Sequence, residues 1–154
     1  MEQSWRWFGP RDKVSLSDAL QAGVETIVTA LHDVPIGEVW PVKAIEERQA
    51  LVRAAGLEWT VVESLDVSER VKLRESGFQQ DIDNYIQSLR NLAACGIRVV
   101  AYNLMPVFTW MRTELDYPLP SGATATRFNA TAFAAFDVYI LKRKGAEEEW
   151  GEQR

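Results

Sequence analysis

From the amino terminus to about residue 102, short apolar runs alternate with longer stretches of helical period. The first run, Ser4-Trp5-Arg6-Trp7-Phe8, stops at Gly9-Pro10, and Ser15 is placed to cap a short helix over residues 16–22 that Gly23 closes. Residues 26–31, Thr-Ile-Val-Thr-Ala-Leu, are strongly β-prone, and Pro41 leads into a second helix over residues 42–55, closed by Gly56. A third strand covers residues 57–62 and ends at Glu63-Ser64; a polar stretch then runs to about Gln80. The longest helix follows, with Ile82, Tyr85, Ile86, Leu89, Leu92 and Ala93 on one face of a 3.6-residue period, before Gly96 and a fourth strand over residues 97–102.

Beyond residue 113 the pattern changes. Leu115, Tyr117 and Leu119 alternate, Pro120-Ser121-Gly122 supplies a turn, and residues 124–128 run back as a partner, which predicts an inserted hairpin. Asn129 is placed to cap a last helix carrying Phe133, Phe136 and Ile140, with Lys142-Arg143-Lys144 at its negative end. The acidic tail from Ala146 onward reads as frayed.

Four strand-helix repeats predict an α/β fold, because parallel neighbours need crossover connections. A closed eight-unit barrel takes about 250 residues. The 154 residues of this chain hold four or five such units, so it is either a small open sheet or the first half of a barrel.

Composition narrows the function. A net charge of −5 gives no electrostatic footprint for nucleic acid or an anionic membrane, and the 47% hydrophobic and 25% charged content is that of a folded globular chain. No apolar run approaches the roughly 18 residues of a membrane span. The single cysteine, Cys95, excludes an internal disulfide, and the first residues lack a secretory leader's basic and apolar regions, so the cytoplasm is the expected location. A Gly-rich phosphate loop, a Gly-x-Ser-x-Gly elbow and His-Glu-x-x-His are all missing.

In parallel α/β folds ligands meet the loops after the strands, which gives priority to residues 6–9, His32-Asp33, Glu63-Ser64 and Tyr102-Asn103. A guanidinium, an imidazole, a carboxylate and an amide suit a polyhydroxylated anion. Each also has a plain structural reading. Arg6 stacks on its flanking tryptophans; His32, the lone histidine, bonds loop backbone; Glu63 is ion-paired; Asn103 organises a loop. Cys95, before its strand, belongs to the opposite end as a buried, inert thiol, and the Glu46-Glu47-Arg48 and Glu147-Glu148-Glu149 clusters read as solvated charge.

Several stretches in order resemble the amino-terminal part of the mannonate dehydratase family. They are Trp5-Arg6-Trp7-Phe8-Gly9-Pro10, Val28-Thr29-Ala30-Leu31-His32, Gly37-Glu38-Val39-Trp40, Val61-Val62-Glu63-Ser64, Cys95-Gly96-Ile97-Arg98, Tyr102-Asn103-Leu104-Met105-Pro106-Val107 and Phe133-Ala134-Ala135-Phe136. The resemblance implies a hydro-lyase on a TIM-type (β/α)8 barrel, dependent on Mn2+ or Fe2+, that dehydrates D-mannonate to 2-dehydro-3-deoxy-D-gluconate in hexuronate catabolism. It further implies that this chain is the N-terminal half of such a barrel, with residues 1–147 in the family domain and 148–154 a non-family tail. Family members are more than twice as long and take their cysteine, histidine and aspartate metal ligands from later strands, so the chain is expected to carry no metal ligand and to be inactive alone. What carries over is a substrate wall of Arg6, His32, Glu63 and Asn103, with the acid and base unassigned. The alternative is a sugar-acid-binding or self-associating remnant without catalysis. Self-association is expected in either case, because an open half barrel exposes sheet edges and an apolar face.

Overall fold

In a computed structural model the described residues are 2–105 and 108–151; Pro106-Val107 of the resemblance and the last three residues of the expected tail lie outside them. The chain divides into two compact units, Met1–Val107 and Phe108–Arg154.

The first unit alternates β1 (Ser4–Arg6), α1 (Leu16–Gln21), β2 (Thr26–Thr29), α2 (Val42–Ala54), β3 (Glu58–Glu63), α3 (Glu69–Leu73), α4 (Phe78–Ala94) and β4 (Val99–Ala101). Its four strands form one parallel sheet in the order β1-β2-β3-β4. Parallel neighbours cannot be joined by a tight turn, so each pair is spanned by helix, once by α1, once by α2 and once by α3 and α4 together. The register pairs Trp5 with Ile27 and Ile27 with Trp59, then slips at Ile27/Val28 so that Thr29 meets Val62 and Val62 meets Val100. Ile27, Ile45, Val52, Val62 and Leu92 are wholly buried between sheet and helices. Truncating any one of them to alanine costs about 2–5 kcal/mol.

Local chemistry accounts for the ends of the helices. Ser15 forms a capping box with Asp18: its hydroxyl accepts from Asp18 N–H at 3.1 Å, and the Asp18 carboxylate accepts from Ser15 N–H at 2.9 Å. The polar stretch before residue 80 departs from expectation by forming α3. Ser68 caps it, accepting from Val71 N–H at 3.3 Å, and its hydroxyl donates a hydrogen bond to Asp81 on α4 at 2.6 Å. Arg70 of α3 grips the same carboxylate with Nε at 3.0 Å and Nη2 at 2.6 Å. This short helix is held by a buried carboxylate, not by an apolar face.

The second unit opens with the expected hairpin, β5 (Glu114–Pro118) antiparallel to β6 (Thr124–Arg127). Asn129 caps α5 (Ala130–Ala135), accepting from Ala132 N–H at 3.0 Å. The expected single helix does not continue regularly. Residues Phe136–Leu141 widen into a π-helix, which buries Phe133 and Asp137 and leaves Ile140 71% exposed. Within the expected frayed tail, Ala146–Gly151 form α6. Its Trp150 donates to Asp137 at 2.8 Å, Arg143 grips the same carboxylate at 2.6 Å, and the Trp150 ring meets Phe133 edge-on at 5.8 Å. Glu149 is paired with Arg143 and is not merely solvated.

Candidate functional site

All four strand ends of the first unit open onto one cavity of about 690 Å3. Arg6 ends β1 and Phe8 follows it, Leu31 and His32 follow β2, Ser64 to Ser68 follow β3, and Tyr102 follows β4; Tyr85 reaches in from α4. A cavity at this end of a parallel sheet, mostly apolar with a few converging polar groups, is the usual form of a small-molecule site.

The polar groups are tied together. Arg6 Nη1 lies 2.6 Å from Glu63 Oε1, and its guanidinium stacks on Phe8 at 4.8 Å instead of on the flanking tryptophans. Phe8 in turn lies 6.1 Å from the His32 ring. The β1 loop turns at Gly9, whose φ of +90° lies where side chains are rarely tolerated, and a Cβ there would stand 3.1 Å from Arg48 Nη1 and 3.3 Å from His32 Nδ1. Phe8 N–H donates to Asp12 at 2.7 Å, closing the turn and holding the Asp12 carboxyl below its usual range. Arg11 pairs with Asp33 over the adjoining rim.

Electrostatics favour a neutral imidazole. Partial burial lowers the His32 pKa, Arg48 and Arg6 lower it further, and Asp66 and Asp12 pull the other way. Tyr85 is pushed up, by burial first and then by Tyr102 and Asp66. The floor is stapled to α4: Asn84 donates to Gly37 O at 2.8 Å, Ser88 accepts from Trp40 N–H at 2.9 Å, and Asn91 donates to Trp40 O at 2.7 Å.

Of the four residues singled out from sequence, Arg6 and His32 line the cavity, and Glu63 reaches it through Arg6. Asn103 is half-buried beside the lining Tyr102 and does not itself line it. Arg48, unlike the solvated charge expected of the Glu46-Glu47-Arg48 cluster, is buried. It is 8% exposed and donates to Ala30 O at 2.7 Å. Its position was detectable, since Ile45, Arg48, Gln49 and Val52 fall on one helical face and all four are buried. Cys95 caps the far end of α4, half-buried, with burial and then Glu46 raising its thiol pKa. Among the described residues no group of three or more His, Cys, Asp or Glu side chains comes together to hold a metal ion, and no helix is long and apolar enough to cross a membrane.

The family model for D-mannonate dehydratase (UxuA) matches residues 1–151. The chain belongs to the mannonate dehydratase family. It is 56% identical over 153 residues to the mannonate dehydratase of Marinomonas sp. (strain MWYL1), covering 99% of this chain and 39% of that protein. To the mannonate dehydratase of Chromohalobacter salexigens it is 55% identical over 150 residues, covering 97% of this chain and 38% of that protein. The crystal structure of mannonate dehydratase from Streptococcus suis serotype 2 superposes with a TM-score of 0.85 at 42% identity, over 97% of this chain and 43% of that one. The chain therefore spans about two fifths of the relatives it matches, and within that span it shares the sheet and crossovers of a mannonate dehydratase.

Proposed function

We propose that this chain supplies the first four strands of a TIM-type mannonate dehydratase barrel and, with them, one wall of the pocket for D-mannonate. The observation that carries the reading is the Arg6-Glu63 pair, which sets a guanidinium at the mouth of the strand-end cavity in a chain of this family. The substrate is a hydroxylated carboxylate. Arg6, already held on one nitrogen by Glu63, offers its remaining N–H donors to the carboxylate, and His32, neutral at pH 7, exchanges hydrogen bonds with a hydroxyl. Asn103, beyond β4 and beside the lining Tyr102, is proposed to add an amide at the edge of the site. The reaction takes the C2 proton and expels the C3 hydroxyl as water, and the resulting enol becomes the 2-keto acid. Negative charge develops beside the carboxylate as the proton leaves, and a fixed guanidinium there stabilises it.

The Mn2+ or Fe2+ of the family would supply further stabilisation of that charge. The described residues do not gather a ligand set for it, and its ligands are proposed to lie in the part of the family fold beyond this span. The working enzyme is proposed to be cytoplasmic and homo-oligomeric. A second reading, sugar-acid binding without turnover, is favoured by one fact: the cavity and its guanidinium, Arg6, lie within the first unit of this chain.

The test is formation of 2-keto acid from D-mannonate with Mn2+ or Fe2+ present. The 154-residue chain should give none by itself, and activity should appear when the remaining segment of the Marinomonas relative is supplied in trans. Turnover by the chain alone overturns the division of labour. Binding of D-mannonate with no turnover in the reassembled protein favours the second reading.

A further inference from the structure

Arg48 is a buried cation behind the cavity, beside Gly9 and His32, to which the proposed reaction assigns no part. It comes from α2, yet its guanidinium touches two strand-end segments at once: it donates to Ala30 O beyond β2 at 2.7 Å and stacks over Trp7 beyond β1 at 5.5 Å. Nη1 and His32 Nδ1 share the space that glycine leaves at position 9, each within 3.3 Å of the same point. Arg6, Arg70 and Arg143 each have a carboxylate partner. Arg48 has none among the described residues, and burial is the sole cause that shifts its pKa, downward from the ordinary arginine value. An arginine stays protonated even so. Its charge is thus buried, uncompensated and directed at the strand-end loops, where low polarisability lets it act strongly.

We propose that Arg48 is a positioning residue of the sugar-acid site, fixing His32 against the Gly9 turn and adding to Arg6 a second positive charge beneath the pocket, so that the site selects a carboxylate-bearing substrate over a neutral polyol. The selectivity part rests on the proposed function; the positioning part does not. The groups facing His32 are Arg48 from α2, Arg6 from β1, Asp12 from the turn after β1 and Asp66 from the loop after β3, while its neighbour Asp33 is held by Arg11. Removing Arg48 leaves Arg6 opposing two carboxylates.

His32 is the only histidine, so its ring signals in an NMR titration of the intact chain report it without ambiguity. In Arg48→Gln the titration midpoint should rise by about half a unit or more, and in Arg48→Lys, which keeps the charge, by less than about 0.2 units. An unchanged midpoint in a folded Arg48→Gln chain overturns the proposal. If that variant does not fold, the wild-type chain decides. The Arg48 side-chain nitrogen resonances should inflect at the His32 midpoint, and their failure to do so also overturns it. D-mannonate and mannitol then test selectivity by calorimetry: wild type should bind the acid at least about tenfold tighter, and Arg48→Gln should lose most of that ratio. A shifted midpoint with no sugar-acid binding in wild type would retain the positioning role and defeat the substrate reading instead.

Discussion

Arg6 and Glu63 clasp across a strand: they stand at the ends of β1 and β3, with β2 between them, and meet at 2.6 Å over its end. Their side chains are 34% and 47% exposed, so solvent screens the pair and its loss should cost stability only about 0–1 kcal/mol. Under the proposed function its weight is in binding. In this chain joined to the remaining segment of the Marinomonas relative, Arg6→Gln should weaken D-mannonate binding about tenfold or more. Replacing Glu63 should weaken it less, because the guanidinium remains. Steady-state kinetics beside a melting curve separate the two effects, and a large drop in melting temperature with unchanged KM would contradict this division.

Gly9 and Gly96 both hold positive φ, but only Gly9 is crowded. Gly96→Ala should therefore cost about 1–2 kcal/mol of backbone strain alone. Gly9→Ala must in addition displace Arg48 or His32, and should cost more and disturb the His32 NMR signals. Equal losses for the two in denaturant unfolding would show that the contacts at Gly9 give way freely.

The two partners of the Arg70-Asp81 pair are unequally buried: the side chains are 52% and 2% exposed. Arg70→Ala strands a buried carboxylate and should cost about 3 kcal/mol, whereas Asp81→Ala leaves an arginine that water still reaches and should cost about half that. Urea unfolding of both variants checks the order.

Because His32 is held below its ordinary pKa when folded, the unfolded chain takes up its proton first as pH falls. The contribution of this group is complete above about pH 6.5 and is lost as pH drops from there through the lower folded value. Comparing denaturation midpoints of wild type and His32→Asn between neutral and mildly acid pH isolates it. The variant should show the flatter curve over that window.

β1 and β4 are the outer strands of the sheet, and Val99 on β4 is 54% exposed. Unpaired strand edges bind one another. Light scattering on the isolated chain should show concentration-dependent association, which lysine at position 99 should reduce.

The strands and the two long helices were legible because apolar spacing reports packing: Ile27, Val62 and Leu92 are buried where the pattern puts them. The same pattern misled on α4. Ile86 and Leu89 lie 40% and 37% exposed, while Asp81 and Ser88, polar by type, are buried because they hold α3 and the loop before α2. Helix α3 and α6 were illegible for a related reason. Each is fixed by one hydrogen-bonded carboxylate, Asp81 or Asp137, and such a contact leaves no period in the sequence. Arg6 and His32 were found from their place after strands, whereas Arg48 comes from a helix and meets the loops only through folding.

The sequential strand order also bears on synthesis. Each strand pairs with the one made before it, so every pairing in this sheet closes as soon as the next crossover, of one helix or two, and its strand have left the ribosome. The pairings within this sheet never wait for a distant partner, and a growing sheet of this kind lengthens in whole units from its first strand outward.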